Sequence, residues 1–337
     1  MARYIARRLV LMVIVLAGMS VLTFLLTHLV PGNPAKLMAG LHATQAQVDV
    51  YTRRYGLNKP LPVQYWRYVT GLTHGDFGTS LTTQRPVAED LKQFAPATAE
   101  LVFAAMVLTV VIGVPLGALS GLFHRSWFDH STRVISVAGA AMPAFWLGMI
   151  LQVVFFAKLG VLPVGGQLDI LSQSPPTITG MVVVDSLLAG QFTVFRDALL
   201  HLILPAFTLA AGGIAIVTRM SRGAMEDTLE TDFIRMARAK GMPELRVVGR
   251  HALPNALTST VTVLGLQVGA LFAGTFLVES VFTWPGIGLY AVTGIRDQDY
   301  AAIMGVTLLI AITYCLANLV VDVIYALMDP RITYAGT

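Results

Sequence analysis

The sequence predicts an all-α integral membrane protein with six transmembrane helices, and two observations carry that prediction. Only 12% of the 337 residues are charged and 55% are hydrophobic, about half the roughly 25% charge of an ordinary soluble domain. The scarcity is also confined to six windows: Leu9–Leu29, Leu101–Phe123, Val134–Ala157, Ala198–Thr218, Ala252–Val278 and Tyr300–Val321. Each is long enough to cross a bilayer core, which takes about 20 residues at 1.5 Å rise. Six such runs cannot all be interior core helices in a chain of this length, so a soluble enzyme is excluded before any motif is read. The single cysteine, Cys315, leaves no internal disulfide framework and no cysteine metal cluster.

The first span is placed at 9–30, behind Arg3, Arg7 and Arg8. It is too long for a signal-peptide core and lacks a small-x-small cleavage site, so it reads as a retained helix, stopped by Pro31-Gly32-Asn33-Pro34. Residues 31–96 form a polar segment expected outside as a small subdomain. Within it, Thr44 as N-cap, Gln47 at the capping-box position and Gly56 mark a short helix to Tyr55. Gly75-Asp76-Phe77-Gly78-Thr79-Ser80 is a turn cluster.

The remaining spans, about 99–122, 134–157, 198–218, 256–279 and 301–324, make up a transmembrane domain over 97–328, followed by a tail at 329–337. Gly113, Gly117 and Gly121 share one face of the second span, a spacing that lets two membrane helices approach closely. Gly265 and Gly269 repeat it in the fifth. Pro143 and Pro205 are expected to kink the third and fourth. The run Met181–Leu188, with Asp185, is too short to span and is expected to lie along the membrane interface or to pack on the outer ends of the helices.

Lysine and arginine set the orientation. With the N-terminus inside, 13 of the 23 basic residues lie inside and ten outside, but seven of those ten fall in 31–96. Long segments are translocated regardless of charge. Both termini are therefore expected in the cytoplasm, with the chain a multi-pass membrane protein.

The inside loop 219–256 carries the strongest pattern. Met225, Leu229 and Phe233, with Met236 or Ala237, recur at helical spacing. Acidic Glu226, Asp227 and Glu230 precede basic Arg235, Arg238 and Lys240, which suits a helix dipole. Gly241 suits a C′ position, and Pro243-Glu244 opens a second helix running toward Leu253-Pro254. The expectation is a helix–glycine turn–helix bracket.

Gly241, nine intervening residues, then His251-Ala252-Leu253-Pro254 resembles the EAA loop of permease subunits of bacterial ABC importers. Arg235, Met236 and Ala237 stand where that loop opens with Glu-Ala-Ala, and only Ala237 matches. Ala237-Arg238-Ala239-Lys240-Gly241, Pro31–Pro34, Gly75–Ser80, Glu279-Ser280-Val281-Phe282, Pro285-Gly286-Ile287-Gly288 and Asp329-Pro330-Arg331 resemble the dipeptide, oligopeptide and nickel branch. Most similar is the first dipeptide permease subunit, and the likeness covers essentially the whole chain.

The resemblance implies a type I importer permease fold and transport of di- or oligopeptides by alternating access. The coupling loop would seat on an ATPase through Arg235, Ala237, Arg238, Ala239, Lys240, Gly241, His251, Leu253 and Pro254. It also implies a second homologous permease, two ATPase subunits that bind ATP and Mg, and an extracytoplasmic substrate-binding protein. Nickel complexes or glutathione stay open as cargo.

No Gly-x-x-x-x-Gly-Lys-Ser/Thr occurs, so no ATP site, catalytic residue or cofactor is expected on this chain. Membrane lipid is an expected partner and nucleic acid is not. Gln152, Gln267, Glu279, Asn318 and Asp322 are polar residues in or at the ends of spans and are candidate pathway residues. Both carboxylates lie at window ends, which counts against the alternative of a lone secondary carrier or channel needing deep coupling-ion sites.

Overall fold

The computed structural model describes residues 2–29 and 44–328. The expected stop at Pro31–Pro34, the Asp329-Pro330-Arg331 motif and the tail lie outside the described residues. The helices are α1 (Ala2–Leu29), α2 (Gln45–Tyr55), α3 (Leu61–Thr73), α4 (Val87–Leu122), α5 (Trp127–Ala141), α6 (Ala144–Lys158), α7 (Val182–Leu188), α8 (Phe192–Leu229), α9 (Asp232–Ala239), α10 (Glu244–Arg246), α11 (Leu253–Phe282), α12 (Ile287–Arg296) and α13 (Tyr300–Met328). Among the described residues there is no strand, only an isolated bridge between Thr79 and Pro86. Among the described residues five helices are long and apolar enough to cross a membrane, and the bent pair α5 and α6 would bring the number to six if it crosses as one span. The protein is an all-α, multi-pass membrane protein.

The third span is not a single rod. Its two arms, α5 and α6, meet at 107°. Proline has no amide hydrogen and forces the residue before it out of the helical region, and Met142 accordingly sits at φ −75°, ψ 128° ahead of Pro143. Pro205 behaves differently, because α8 runs through it unbroken to Leu229. The fourth span thus extends three turns past its expected end at 218. A π-helical turn at Thr109–Gly113 interrupts α4 immediately before Val114-Pro115; such turns absorb the lost proline bond.

The chain divides into two compact units, one of residues 1–96 with 286–315, the other of 97–285 with 316–337. In the first, Phe24 of α1 packs edge-on to Tyr65 of α3 and stacks on Tyr68, while Ser20 and Tyr65 share a 2.9 Å hydrogen bond. Val87, Leu91, Ile287, Tyr290, Ala302 and Val306 form its core. The Gly75–Ser80 turn is fastened by buried Asp299, which accepts from Ser80 Oγ at 2.5 Å and from the amides of Leu81 and Thr82 at 2.7 and 3.1 Å. Asp90, equally buried, accepts from Tyr290 Oη at 2.9 Å.

The second unit is built on α4, α8 and α11, whose core includes Leu101, Leu202, Leu209, Leu271, Val278 and Phe282. Trp284 is fully buried, and its indole donates to the Ala97 carbonyl at 2.8 Å. The loop after α6 closes on the end of α11, where the Gly166 amide donates to Phe282 O at 2.8 Å. Asp185 of α7 is buried and accepts from the amides of Ile178, Thr179 and Gly180. Burial pushes its carboxyl pKa up, but these bonds and that of the Thr179 hydroxyl outweigh it and hold it below the ordinary aspartate value.

The glycine face of α4 lies against α8. A Cβ at Gly117 would stand 2.4 Å from the Thr218 carbonyl oxygen, and one at Gly121 2.6 Å from that of Arg222. Both obstacles are backbone, so neither can turn aside. Gly117→Val is therefore expected to lower stability by about 1–3 kcal/mol or more through overpacking, read as a fall in Tm of the detergent-solubilised chain. Gly212→Ala, facing open space in α8, is expected to leave Tm unchanged.

Candidate functional site

The bracket after α8 is held by a small core of its own. Met225 is 1% exposed and packs with Ile234, Ala237, Val247, Ala252 and Ala256, with Leu122, Leu229 and Met242 at the edges. The expected continuous helix through this region is broken. Glu230 ends α8, and Thr231 turns extended (φ −71°, ψ 153°) as N-cap of α9. The break rotates the apolar stripe: Ile234 and Ala237 face inward, while Phe233 and Met236 are 45% and 58% exposed.

The turn after α9 is a Schellman motif. The Gly241 amide donates to Arg238 O at 2.9 Å, the Met242 amide to Ala237 O at 3.3 Å, and Gly241 sits at φ +74°. A side chain there meets open space, so its cost is the left-handed backbone, about 1–2 kcal/mol. Arg238 bridges the turn, donating from Nη2 to Glu244 Oε1 at 2.6 Å and from Nε to Oε2 at 3.2 Å. Pro243 caps the next turn, and Leu245 is 91% exposed. The second helix of the bracket is not separate from the fifth span: α10 passes through a π-helical stretch, Val247–Ala252, into α11, with Pro254 in the first turn. Ala239, Lys240 and Arg235 are exposed; His251 and Leu253 are half-buried.

Beneath the bracket lies an ion pair, with its carboxylate fully buried, that sequence reading missed. Arg222 of α8 donates to both oxygens of Asp129, from Nε at 2.5 Å and Nη2 at 3.1 Å, and from Nη1 to Glu226 at 2.8 Å. Asp129 is fully buried and also accepts from Ser120 Oγ at 2.8 Å and the Arg125 amide at 3.0 Å. A local signal existed, since Ser126 caps α5 by accepting from the Asp129 amide in a Ser-x-x-Asp pattern akin to a capping box. The partner, 93 residues away, leaves no such trace.

The candidate pathway residues are not gathered into one place. Gln152 donates to the carbonyls of Val164 and Val281, near the end of α11 that carries Glu279. Glu279 is fully buried and accepts from Thr98 Oγ1 at 2.6 Å. Gln267 is on the same helix twelve residues earlier, about 18 Å away at 1.5 Å per residue; it is 7% exposed and its Nε2 has no hydrogen-bond partner among the described residues. Asn318 is half-buried on α13. The Asp322 side chain lies outside the described residues. Among the described residues, no cluster of His, Cys, Asp or Glu could hold a metal ion.

Fold and site define a helical multi-pass membrane protein with a preformed bracket between two of its spans. Residues 113–334 match the family described as the binding-protein-dependent transport system inner membrane component, and residues 1–102 match the N-terminal part of such components. The chain is 48% identical over 325 residues to a probable D,D-dipeptide transport system permease protein of Escherichia coli K12, covering 96% of each. It is 43% identical to a di/tripeptide transport system permease protein of Pseudomonas aeruginosa, covering 99% of each. It is also 37% identical to a glutathione transport system permease protein of Salmonella paratyphi A, over 99% of this chain and 100% of that one. The chain belongs to the family of inner membrane components of binding-protein-dependent transport systems.

The Arg238 guanidinium beside Glu244 holds the glutamate carboxyl below its ordinary value. The pair's contribution is present at neutral pH and lost as pH falls through that depressed value, and it is small because solvent screens an exposed pair. A carbon-13 titration of Glu244 is expected to give a midpoint below the ordinary glutamate value of about 4.3. Arg238→Gln should return it to that value.

Proposed function

We propose that this chain is a translocating subunit of an ATP-driven importer of short peptides, and that the α9–α10 bracket is where an ATPase subunit seats. The observation that carries the docking reading is the bracket's two-sidedness. Ile234, Ala237 and Val247 tie it to α8, while Phe233, Met236 and Leu245 stay exposed beside Arg235 and Lys240. An apolar patch with a basic rim on a rigid element suits a partner groove better than it suits water.

The peptide reading of the cargo rests on the relatives. Those named for dipeptides or for di- and tripeptides are more similar to this chain than the glutathione permease. In this reading a second, homologous permease completes the pathway, a binding protein delivers cargo on the outer side, and two ATPases hold ATP and Mg. Both termini lie in the cytoplasm. ATP-driven closure of the ATPases would press on the bracket, and α8 and α11, which enter and leave it, would carry the displacement into the spans as alternating access.

Gly241→Asp tests the coupling. Asp tolerates the left-handed backbone better than most residues, so the turn and membrane insertion are expected to persist. A new negative charge at a desolvated contact is expected to cut peptide uptake roughly tenfold or more, while the complex still hydrolyses ATP. Uptake at the native rate in a normally inserted variant would sink the assignment. Competition of labelled dipeptide uptake by glutathione or a nickel complex checks cargo separately, with peptide expected to compete best.

A further inference from the structure

A cleft of about 130 Å³ opens between α5 and α8, lined by Arg133, Arg219, Arg222, Ser136, Val137 and Ala215 among others. Three guanidiniums meet here with two carboxylates. Arg222 is held by Asp129 and Glu226. Arg133 stands 3.7 Å from Asp129 and 2.6 Å from His130 Nδ1. Arg219 makes no hydrogen bond or ion pair among the described residues, so the cleft carries one positive charge in excess. Thr132 and Thr218 complete its lining, and α5 continues outward from it with Val134, Ile135 and Val137 exposed by 69%, 71% and 61%, and with Trp127 exposed by 83% near its start.

A cation at the end of a membrane helix, beside an exposed apolar strip, calls for a ligand that is anionic at one end and apolar at the other. Size decides between the candidates. Pockets that enclose drug-sized molecules measure about 300–1,000 Å³. A cleft of 130 Å³ is too small for a peptide and large enough for a single phosphate group. With the orientation proposed above, these arginines lie at the inner leaflet, where anionic phospholipid is concentrated, and Trp127 occupies the interfacial belt.

We infer that the α5–α8 cleft binds the phosphate head group of an anionic phospholipid, with Arg219 and Arg133 as its ligands and the acyl chains lying along Val134 and Ile135. Arg222, already satisfied by Asp129, orients the rim. Lipid bound here bears on the same two helices that meet the Asp129–Arg222 pair.

The test is native mass spectrometry of the full-length chain titrated with phosphatidylglycerol, phosphatidylcholine or inorganic phosphate. Phosphatidylglycerol is expected to be retained over phosphatidylcholine. Arg219→Gln and Arg133→Gln should each weaken that retention roughly fivefold, the worth of one basic residue near anionic head groups. Arg250→Gln, an exposed cation on the bracket, should not weaken it. Equal retention of both lipids, equal effects of all three variants, or inorganic phosphate binding as tightly as phosphatidylglycerol would each overturn the inference. The Tm of each variant separates loss of binding from loss of fold. Transport does not enter the readout, so failure here leaves the importer reading standing.

Discussion

The backbone contact between α4 and α8 is the constraint on which the rest of the second unit depends. Gly113, Gly117 and Gly121 remove three side chains from one face of α4. Val217, Ser221 and Met225 of α8 enter the space those side chains would fill. In a bilayer no hydrophobic effect draws helices together, so close packing has to do so. The seam also sets the rotation of α8. With Thr218 O and Arg222 O against glycine, Met225 points under the bracket and the Arg222 side chain toward α5.

Two consequences follow in opposite directions. Toward α5, Arg222 meets Asp129, which is itself positioned by the Ser126 cap and by Ser120 at the end of α4. One buried carboxylate thereby joins α4, α5 and α8, and removing Arg222 from such a pair costs about 3–5 kcal/mol because the carboxylate is left buried without its cation. Toward the bracket, Met225 is the plug around which Ile234, Ala237, Val247 and Ala252 assemble. The bracket is therefore an extension of α8 rather than a loose loop, and its glycine turn needs no contact with the bundle to keep its shape.

Much of this was legible in the sequence, and the misses have physical reasons. Charge-free windows fall on the five helices long and apolar enough to span and on the bent pair α5 and α6, because lipid admits few charges wherever a helix crosses it. The glycine spacing marked the face of α4 but could not say which helix it meets. Pro143 breaks its span and Pro205 does not, although both stand in apolar runs; the fold around each decides how the lost hydrogen bond is absorbed. The bracket's turn at Gly241 was readable because φ +74° favours glycine. Its inward face was not, because Thr231 breaks the helical period and moves Ile234 into the place that Phe233 held by spacing. Glu279 looked like a carboxylate near water at a window's end, yet the fold buries it against Thr98.

If the seam and the Met225 plug make the bracket one body with α8, force applied to the bracket must move α8 without deforming the joint. Spin labels at Met220→Cys on α8 and Arg246→Cys on α10, in a Cys315→Ser chain within the assembled transporter, measure this joint directly. Pulsed electron–electron resonance should give the same distance distribution without nucleotide and with ATP bound. A distribution that shifts or broadens on ATP binding would contradict the account, since the bracket would then move independently of the helix it is meant to drive.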